Sequence, residues 1–196
     1  AQIHAGLQSD GKISASIVGN KISVAGVFID QGAVKMNGTL AKHQIVVDGS
    51  GALGTLGFMV LGNYKNGWRG DLSHFQLDTA DYGVWRQEKK AAVAFGGDGV
   101  LLERLCLADK ESTVCLEGDV RLGKEVLWTT QGELSALPLG WLNRLQLLDA
   151  PVSGAIQAKI TANGDSSRVL AANAEVKLSA AEISVDTEDT EINSLR

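Results

Sequence analysis

Apolar and polar residues alternate with a period of two along most of this chain, a pattern that predicts β-strands. The stretch 12–30 is an example, because Ile13 and Ile17 alternate with polar neighbours and Ile22, Val24 and Phe28 continue the pattern. Gly19-Asn20 lies between the two runs, and both residues accept positive φ. The dipeptide therefore predicts a hairpin turn at this point.

Alternating segments recur at short spacing up to the C terminus. They predict strands over residues 33–40, 43–49, 55–64, 67–79, 82–88, 91–96, 100–107, 113–120, 125–136, 152–164, 168–180 and 182–188. Such spacing is typical of all-β folds, so we expect a long antiparallel meander of about a dozen strands or more. Several strands, 55–62 most clearly, carry apolar residues on both faces. One face could pack while the other lines a groove, and a plain packed core is the alternative.

A single segment departs from the strand pattern. In "LPLGWLNRLQLL", residues 137–148, Pro138 stands near the start and Leu139, Leu142 and Leu145 recur at helical spacing. Proline fits the first turn of a helix, and the spacing gives one apolar side. We expect one short helix or helical turn here.

Composition narrows the possible functions. The 23 glycines and 2 prolines suit many strands joined by tight turns, and the net charge of −5 argues against a nucleic-acid partner. His4, His43 and His74 are scattered and read as surface strand residues, without the spacing of a metal site. "FGGDGV" precedes a strand rather than a helix and therefore reads as a turn. The sequence predicts no catalytic set, no metal and no cofactor, and hence no enzyme.

The chain starts in the middle of an apparent strand, "AQIHAGL", with neither an initiator Met nor a signal segment. It has no apolar run of the roughly 20 residues that span a bilayer. We therefore expect residues 1–196 to be a single segment of a longer protein, with any membrane anchor outside it.

The central block of the chain resembles the TamB family and, more widely, the AsmA-like proteins. The shared order is Trp68-x-Gly70-x-Leu72, then Gly83-x-Trp85, two Cys-Leu strands, Leu-Pro-Leu opening a short helix, and a strand that contains Gly154. The resemblance covers residues 67–160. The family's tryptophan after the second cysteine strand is expected at Trp128.

This resemblance implies a periplasmic protein, anchored in the inner membrane, whose strands form a U-shaped β-groove (β-taco) with an apolar interior. It further implies that the full-length protein moves phospholipid between inner and outer membrane and supports outer-membrane protein assembly with a partner, TamA. A structural or adhesive β-solenoid without lipid cargo is the alternative, although the chain lacks the fixed repeat of about 20–30 residues typical of solenoids.

Cys106 and Cys115 are the chain's two cysteines. A turn centred on Lys110-Glu111 would place them directly opposite each other on paired strands, close enough to bridge. A metal site would need further ligands, whereas buried free thiols remain an alternative. The periplasmic setting implied by the resemblance favours a disulfide.

An acyl chain needs a continuous apolar trough rather than special residues, because each buried methylene contributes about 0.8 kcal/mol. Sequence parity alone leaves open which face turns inward, since a one-residue register error inverts it. The expected lining, assembled from the N-terminal strands, comprises Ile13, Ile17, Ile22, Val24, Phe28, Val34, Met36, Phe58 and Val60.

Overall fold

The computed structural model describes residues 2–7, 11–24, 27–52, 54–110, 112–144 and 151–183. This part of the chain is almost entirely β-structure, and its strands form one sheet. The all-β meander is therefore confirmed. The elements are β1 Gln2–Leu7, β2 Ile13–Val24, β3 Val27–Thr39, β4 Lys42–Gly51, β5 Gly54–Tyr64, β6 Trp68–Thr79, β7 Gly83–Gln87, β8 Ala91–Gly96, β9 Gly99–Asp109, β10 Ser112–Arg121, β11 Leu127–Pro138, α1 Gly140–Arg144, β12 Val152–Asp165 and β13 Val169–Ile183.

The sheet is an antiparallel meander in which nearly every strand pairs with its neighbours in the chain. At one position, two short strands take the place of one long strand: β7 pairs with one half of β6, β8 with the other half, and both pair with β9. The chain interrupts this strand position at residues 88–90. Antiparallel pairing of this kind differs from the parallel stacking of a β-helix solenoid.

The predicted turn at Gly19-Asn20 is wrong. β2 runs without a break from Ile13 to Val24, and Gly19 pairs with Gly32 inside the sheet. The strands reverse between Val24 and Val27, which are paired with each other. A glycine in a strand interior often marks a close backbone approach or an irregularity rather than a turn, and Lys21, two residues further on, has φ of 53°.

The short helix predicted within 137–148 is confirmed as α1, which covers Gly140–Arg144. It begins later than the sequence suggested, because β11 continues through Leu137 and Pro138. The rest of the predicted segment, 145–148, lies outside the described residues. So does most of the strand predicted at 182–188, since β13 ends at Ile183.

β-bulges recur across the sheet. The pairing register of adjacent strands shifts near Ile29, Met59, Leu116, Leu134 and Ser153. Three non-glycine residues with positive φ, His74, Ala136 and Ala180, stand beside such shifts. A bulge bends its strand and increases the local twist. Bulges repeated from strand to strand therefore curve the sheet, as the β-groove fold requires.

Two tryptophans cover glycines on their own or a neighbouring strand. A Cβ added to Gly62 would lie 2.6 Å from Trp68 Cζ2, and one added to Gly70 would lie 2.8 Å from Trp68 Cη2. A Cβ on Gly164 would lie 2.5 Å from Trp128 Cζ2. The glycines let each indole ring lie close to the backbone, which gives a packing reason for the Trp68-x-Gly70 motif.

We expect Gly99→Ala to destabilise the fold strongly, whereas Gly97→Ala in the same turn should not. Gly99 has φ of +153°, and a Cβ there would lie 2.0 Å from the carbonyl oxygen of Val120, whereas a Cβ on Gly97 meets nothing within 4 Å. The backbone must shift to accept the new methyl, at a cost of about 1–3 kcal/mol. Urea unfolding followed by circular dichroism measures the difference, and equal midpoints for the two variants would contradict this account of the turn.

Candidate functional site

The two faces of the sheet differ in chemistry. Residues paired in an antiparallel register share a face, and alternate residues along a strand lie on opposite faces. The apolar face is defined by three rows of paired residues. These rows are Ile3–Ile17–Val34–Val47–Phe58, Met36–Ile45–Val60–Leu72–Ala91 and Leu107–Val114–Leu134–Ala158–Val176.

The opposite, polar face is defined in the same way by Ser16–Lys35–Val46–Met59–Ser73 and Cys106–Cys115–Glu133–Lys159–Glu175.

No second layer of strands covers the apolar face in the part of the chain that the structure describes, because each strand there packs substantially only against its neighbours in the sheet. Val60, Leu72 and Ala91 are buried by their neighbours on this face, whereas Ile17, Val34, Val114 and Val176 are exposed. An apolar surface of this extent is unusual for a protein without a bound partner or ligand. The face is therefore the candidate functional site.

Six of the nine predicted lining residues lie on this one face. On β2 and β3, Ile17 pairs with Val34, and Ile13 pairs with Gly38, which is on the same side of β3 as Met36. On β4 and β5, Val60 pairs with Ile45 and Phe58 pairs with Val47. The Phe58 ring also stacks on Phe75 at 5.8 Å between centroids. The sequence grouped these residues by alternation, and the register now identifies the face that they share.

The other three predicted lining residues are Ile22, Val24 and Phe28, whose side chains lie outside the described part. Their backbones are described: Val24 pairs with Val27, and Phe28 pairs with Ser23. Since Ser23 and Val24 are adjacent in the chain, this pairing puts the Val24 and Phe28 positions on opposite faces of the sheet. Their grouping as one alternating set is therefore wrong, because it followed from the misplaced turn at Gly19-Asn20.

An aromatic cluster stands at one end of the apolar face. Trp85 on β7 is 5% exposed, and its Nε1 donates a hydrogen bond of 2.8 Å to the Tyr82 carbonyl oxygen. Trp141 of α1 packs edge-on against Trp85 at 5.5 Å and against Tyr82 at 4.8 Å between ring centroids. α1 is thereby attached to the end of the sheet, which the sequence pattern did not predict.

Charged residues on the polar face form ion pairs, one between two strands and one within β13. Arg104 forms an ion pair with Glu133, and Lys177 pairs with Glu175 at 2.8 Å. The hydrogen bond from Arg104 holds the pKa of the Glu133 carboxyl below its usual value, and the hydrogen bond from Lys177 does the same for the pKa of Glu175. All these groups are exposed, so the pairs contribute little to stability. These exposed charged side chains keep the polar face hydrated.

An open depression of about 730 Å³ lies on the polar face. Its lining includes Gln31, Asp48, Ser50, Thr55 and Gln76, which alternate with the apolar-face residues of the same strands. Val18, Val46 and Met59 also line the depression, so polar and apolar side chains are mixed in its wall. Because the wall includes the Asp48 carboxylate, it suits an acyl chain less well than the rows of the apolar face do.

His43 is buried, at 5% exposure, so its prediction as a surface residue is wrong. Trp68 Nε1 donates a hydrogen bond of 2.6 Å to His43 Nε2, and His43 Nδ1 lies 3.0 Å from the Thr39 carbonyl oxygen. These contacts assign His43 a packing role beneath Trp68. Among the described residues, no group of three or more His, Cys, Asp or Glu side chains could hold a metal ion.

The register places Cys115 directly opposite Cys106, and the structure joins their Sγ atoms in a disulfide across β9 and β10. On its other side, β9 pairs with β8 as far as Leu102 and with β7 from Leu107 onwards. The disulfide thus lies beside the interrupted strand position, where β9 has fewer sheet partners.

We predict that protein made in an oxidising compartment contains this disulfide. Thiol counting under denaturing, non-reducing conditions should find no free thiol, and two titratable thiols would contradict the prediction. Reduction should lower the free energy of unfolding by about 2.5–3 kcal/mol, because the bond closes a short loop in the unfolded chain. The Cys106→Ser/Cys115→Ser variant is the control, and its stability should not respond to reductant.

In the part of the chain that the structure describes, no helix has the length and apolar character needed to cross a membrane.

Comparison with known proteins identifies the family. The chain matches, over residues 1–195, the family model described as "TamB, N-terminal domain". No curated protein and no solved structure matches it significantly. The match extends beyond the central block at 67–160, and it fits the one-sheet architecture with a single apolar face described above. The chain belongs to the TamB family.

Proposed function

We propose that the apolar face holds the acyl chains of phospholipid, as one segment of a protein that moves lipid between the inner and outer membranes. The observation that carries this proposal is the continuous apolar surface across the sheet, left without a second protein layer among the described residues. Membership of the TamB family supports the same function.

The physical requirement for this function is small. A hydrocarbon chain gains about 0.8 kcal/mol for each methylene that it removes from water, wherever along the face it lies. Rows of Ile, Val, Leu and Met side chains offer similar surroundings from strand to strand, so a chain can shift along them without a large barrier. Transport of this kind requires no catalytic group, and we propose a non-enzymatic role.

The cellular setting belongs to the same proposal. The segment would act in the periplasm, with the full-length protein anchored in the inner membrane by a segment outside residues 1–196. Through the full-length protein it would work with the outer-membrane partner TamA and support outer-membrane protein assembly. A disulfide between Cys106 and Cys115 suits an oxidising compartment.

Native mass spectrometry of the purified chain tests the proposal directly. We expect phospholipid to remain bound after purification from membranes and to dissociate on activation in the gas phase. Delipidated protein should take up phospholipid again from vesicles. Protein that neither retains nor takes up lipid would contradict the function, and the sheet would then be a structural domain without cargo.

A further inference from the structure

A small pocket at one end of the apolar face combines charged and aromatic groups. Its volume is about 390 Å³, and its lining includes Tyr82, Gly83, Asp109, Lys110, Ser112 and Trp141. We call it the Asp109 pocket. It lies where the β6–β7 turn, the β9–β10 turn and α1 meet.

Asp109 is a half-buried carboxylate on the apolar-face side of β9. Its position alternates with Leu105 and Leu107, and its register partner is Ser112. Among the described residues, none donates a hydrogen bond to its side chain or forms an ion pair with it. The ion pairs of the sheet all join other residues. A carboxylate at the edge of an apolar surface is costly without a counter-charge.

Gly83 makes room for this carboxylate. A Cβ on Gly83 would lie 2.7 Å from Asp109 Oδ2, and Gly83 has φ of +81°. A side chain there would displace the carboxylate from the pocket. The Gly83-x-Trp85 motif therefore places an acidic group beside the aromatic cluster, in addition to packing Trp85.

The aromatic rings supply the second feature of a cation site. Trp141 and Tyr82 line the pocket, with their ring centroids 4.8 Å apart. The faces of Trp and Tyr rings attract ammonium groups within about 6 Å. Lys110 follows Asp109 in the turn and is exposed, so a positive charge stands next to the acidic one.

We propose that the Asp109 pocket binds the ammonium group of a zwitterionic phospholipid headgroup, while Lys110 contacts its phosphate. The acyl chains would lie on the apolar face along the adjoining row that begins at Leu107 and Val114. This inference rests on the proposed lipid-binding function and adds a headgroup preference to it. Phosphatidylethanolamine carries the matching charges, whereas phosphatidylglycerol has no ammonium group.

The test offers the delipidated chain equimolar phosphatidylethanolamine and phosphatidylglycerol with identical acyl chains, in mixed vesicles. The protein is then separated from the vesicles, and the lipids bound to it are quantified by mass spectrometry. We expect phosphatidylethanolamine to be enriched about fivefold, the effect of one exposed cation–π and carboxylate contact. Asp109→Asn should bring the ratio to near one without reducing the total bound lipid, and Trp141→Leu should lower the ratio.

Asp48→Asn is the matched control, because Asp48 also lies beside a glycine, Gly57, but on the polar face. It should retain the wild-type ratio. Equal binding of both lipids by the wild type, or an unchanged ratio in Asp109→Asn, would overturn the headgroup site and leave the groove function standing. A chain that binds neither lipid would overturn both.

Discussion

Val34→Asp should lose at least tenfold in bound phospholipid, whereas Val18→Asp should bind as much as the wild type. Val34 lies on the apolar face between Ile17 and Val47, and Val18 lies on the polar face opposite Ala33. A carboxylate on the apolar face must lose water when an acyl chain passes over it, at a cost of several kcal/mol. On the polar face, the same group remains hydrated and meets no lipid.

The two valines form a matched pair because their exposure is nearly equal, 37% for Val34 and 39% for Val18. Both are strand positions, so the two substitutions should lower the urea midpoint by similar amounts. Native mass spectrometry of the two variants measures bound lipid, and a photo-crosslinking residue at each position tests contact in cells. Equal lipid loss in both variants, or equal crosslinking at both positions, would contradict a one-sided lipid face.

Trp85→Ala is the substitution for which we expect the largest loss of stability, about 3–5 kcal/mol. Trp85 is 5% exposed, donates a hydrogen bond to the Tyr82 carbonyl oxygen and packs against Trp141. Its removal leaves a cavity at the end of the sheet and takes away the surface on which α1 packs. Urea unfolding monitored by circular dichroism measures the loss.

Phe95→Ala is the control for this prediction. Phe95 is also aromatic and lies on the apolar face, paired with Trp68, but it is 60% exposed. Its truncation should cost less than about 1 kcal/mol, as is usual for exposed positions. Comparable losses for the two variants would contradict the view that the Trp85 cluster, rather than aromatic content as such, secures α1.

Much of the fold could be predicted from the sequence, because a strand's alternation and a tight turn are both local properties of the chain. The strands predicted between Ala33 and Ala180, the turn in "FGGDGV" and the helical turn after Pro138 were all visible as patterns. Counting residues outward from the turn at Lys110 likewise placed Cys106 opposite Cys115, because a short hairpin determines which residues face each other.

The turn at Gly19-Asn20 shows where local reasoning failed. Both residues tolerate a turn, but they equally tolerate a strand interior in which Gly19 meets Gly32. The choice between the two depends on pairing with β3 and β4, and the sequence pattern near Gly19 carries no information about those partners. The misplaced turn then changed the parity assigned to Val24 and Phe28, since a shift of one residue inverts the face.

Only the tertiary structure shows which side chains together form the apolar face. Alternation shows that a strand has two faces, whereas only the register across the strands decides that Ile17, Val34, Val47 and Phe58 form one row. The burial of His43 beneath Trp68 and the contact of Trp141 with Trp85 likewise join residues 25 or more positions apart. The sequence determined the strands and their two-sided chemistry, because a strand's period is local. The tertiary structure decided which sides join and where bulges curve the sheet, because those depend on hydrogen bonds between distant segments.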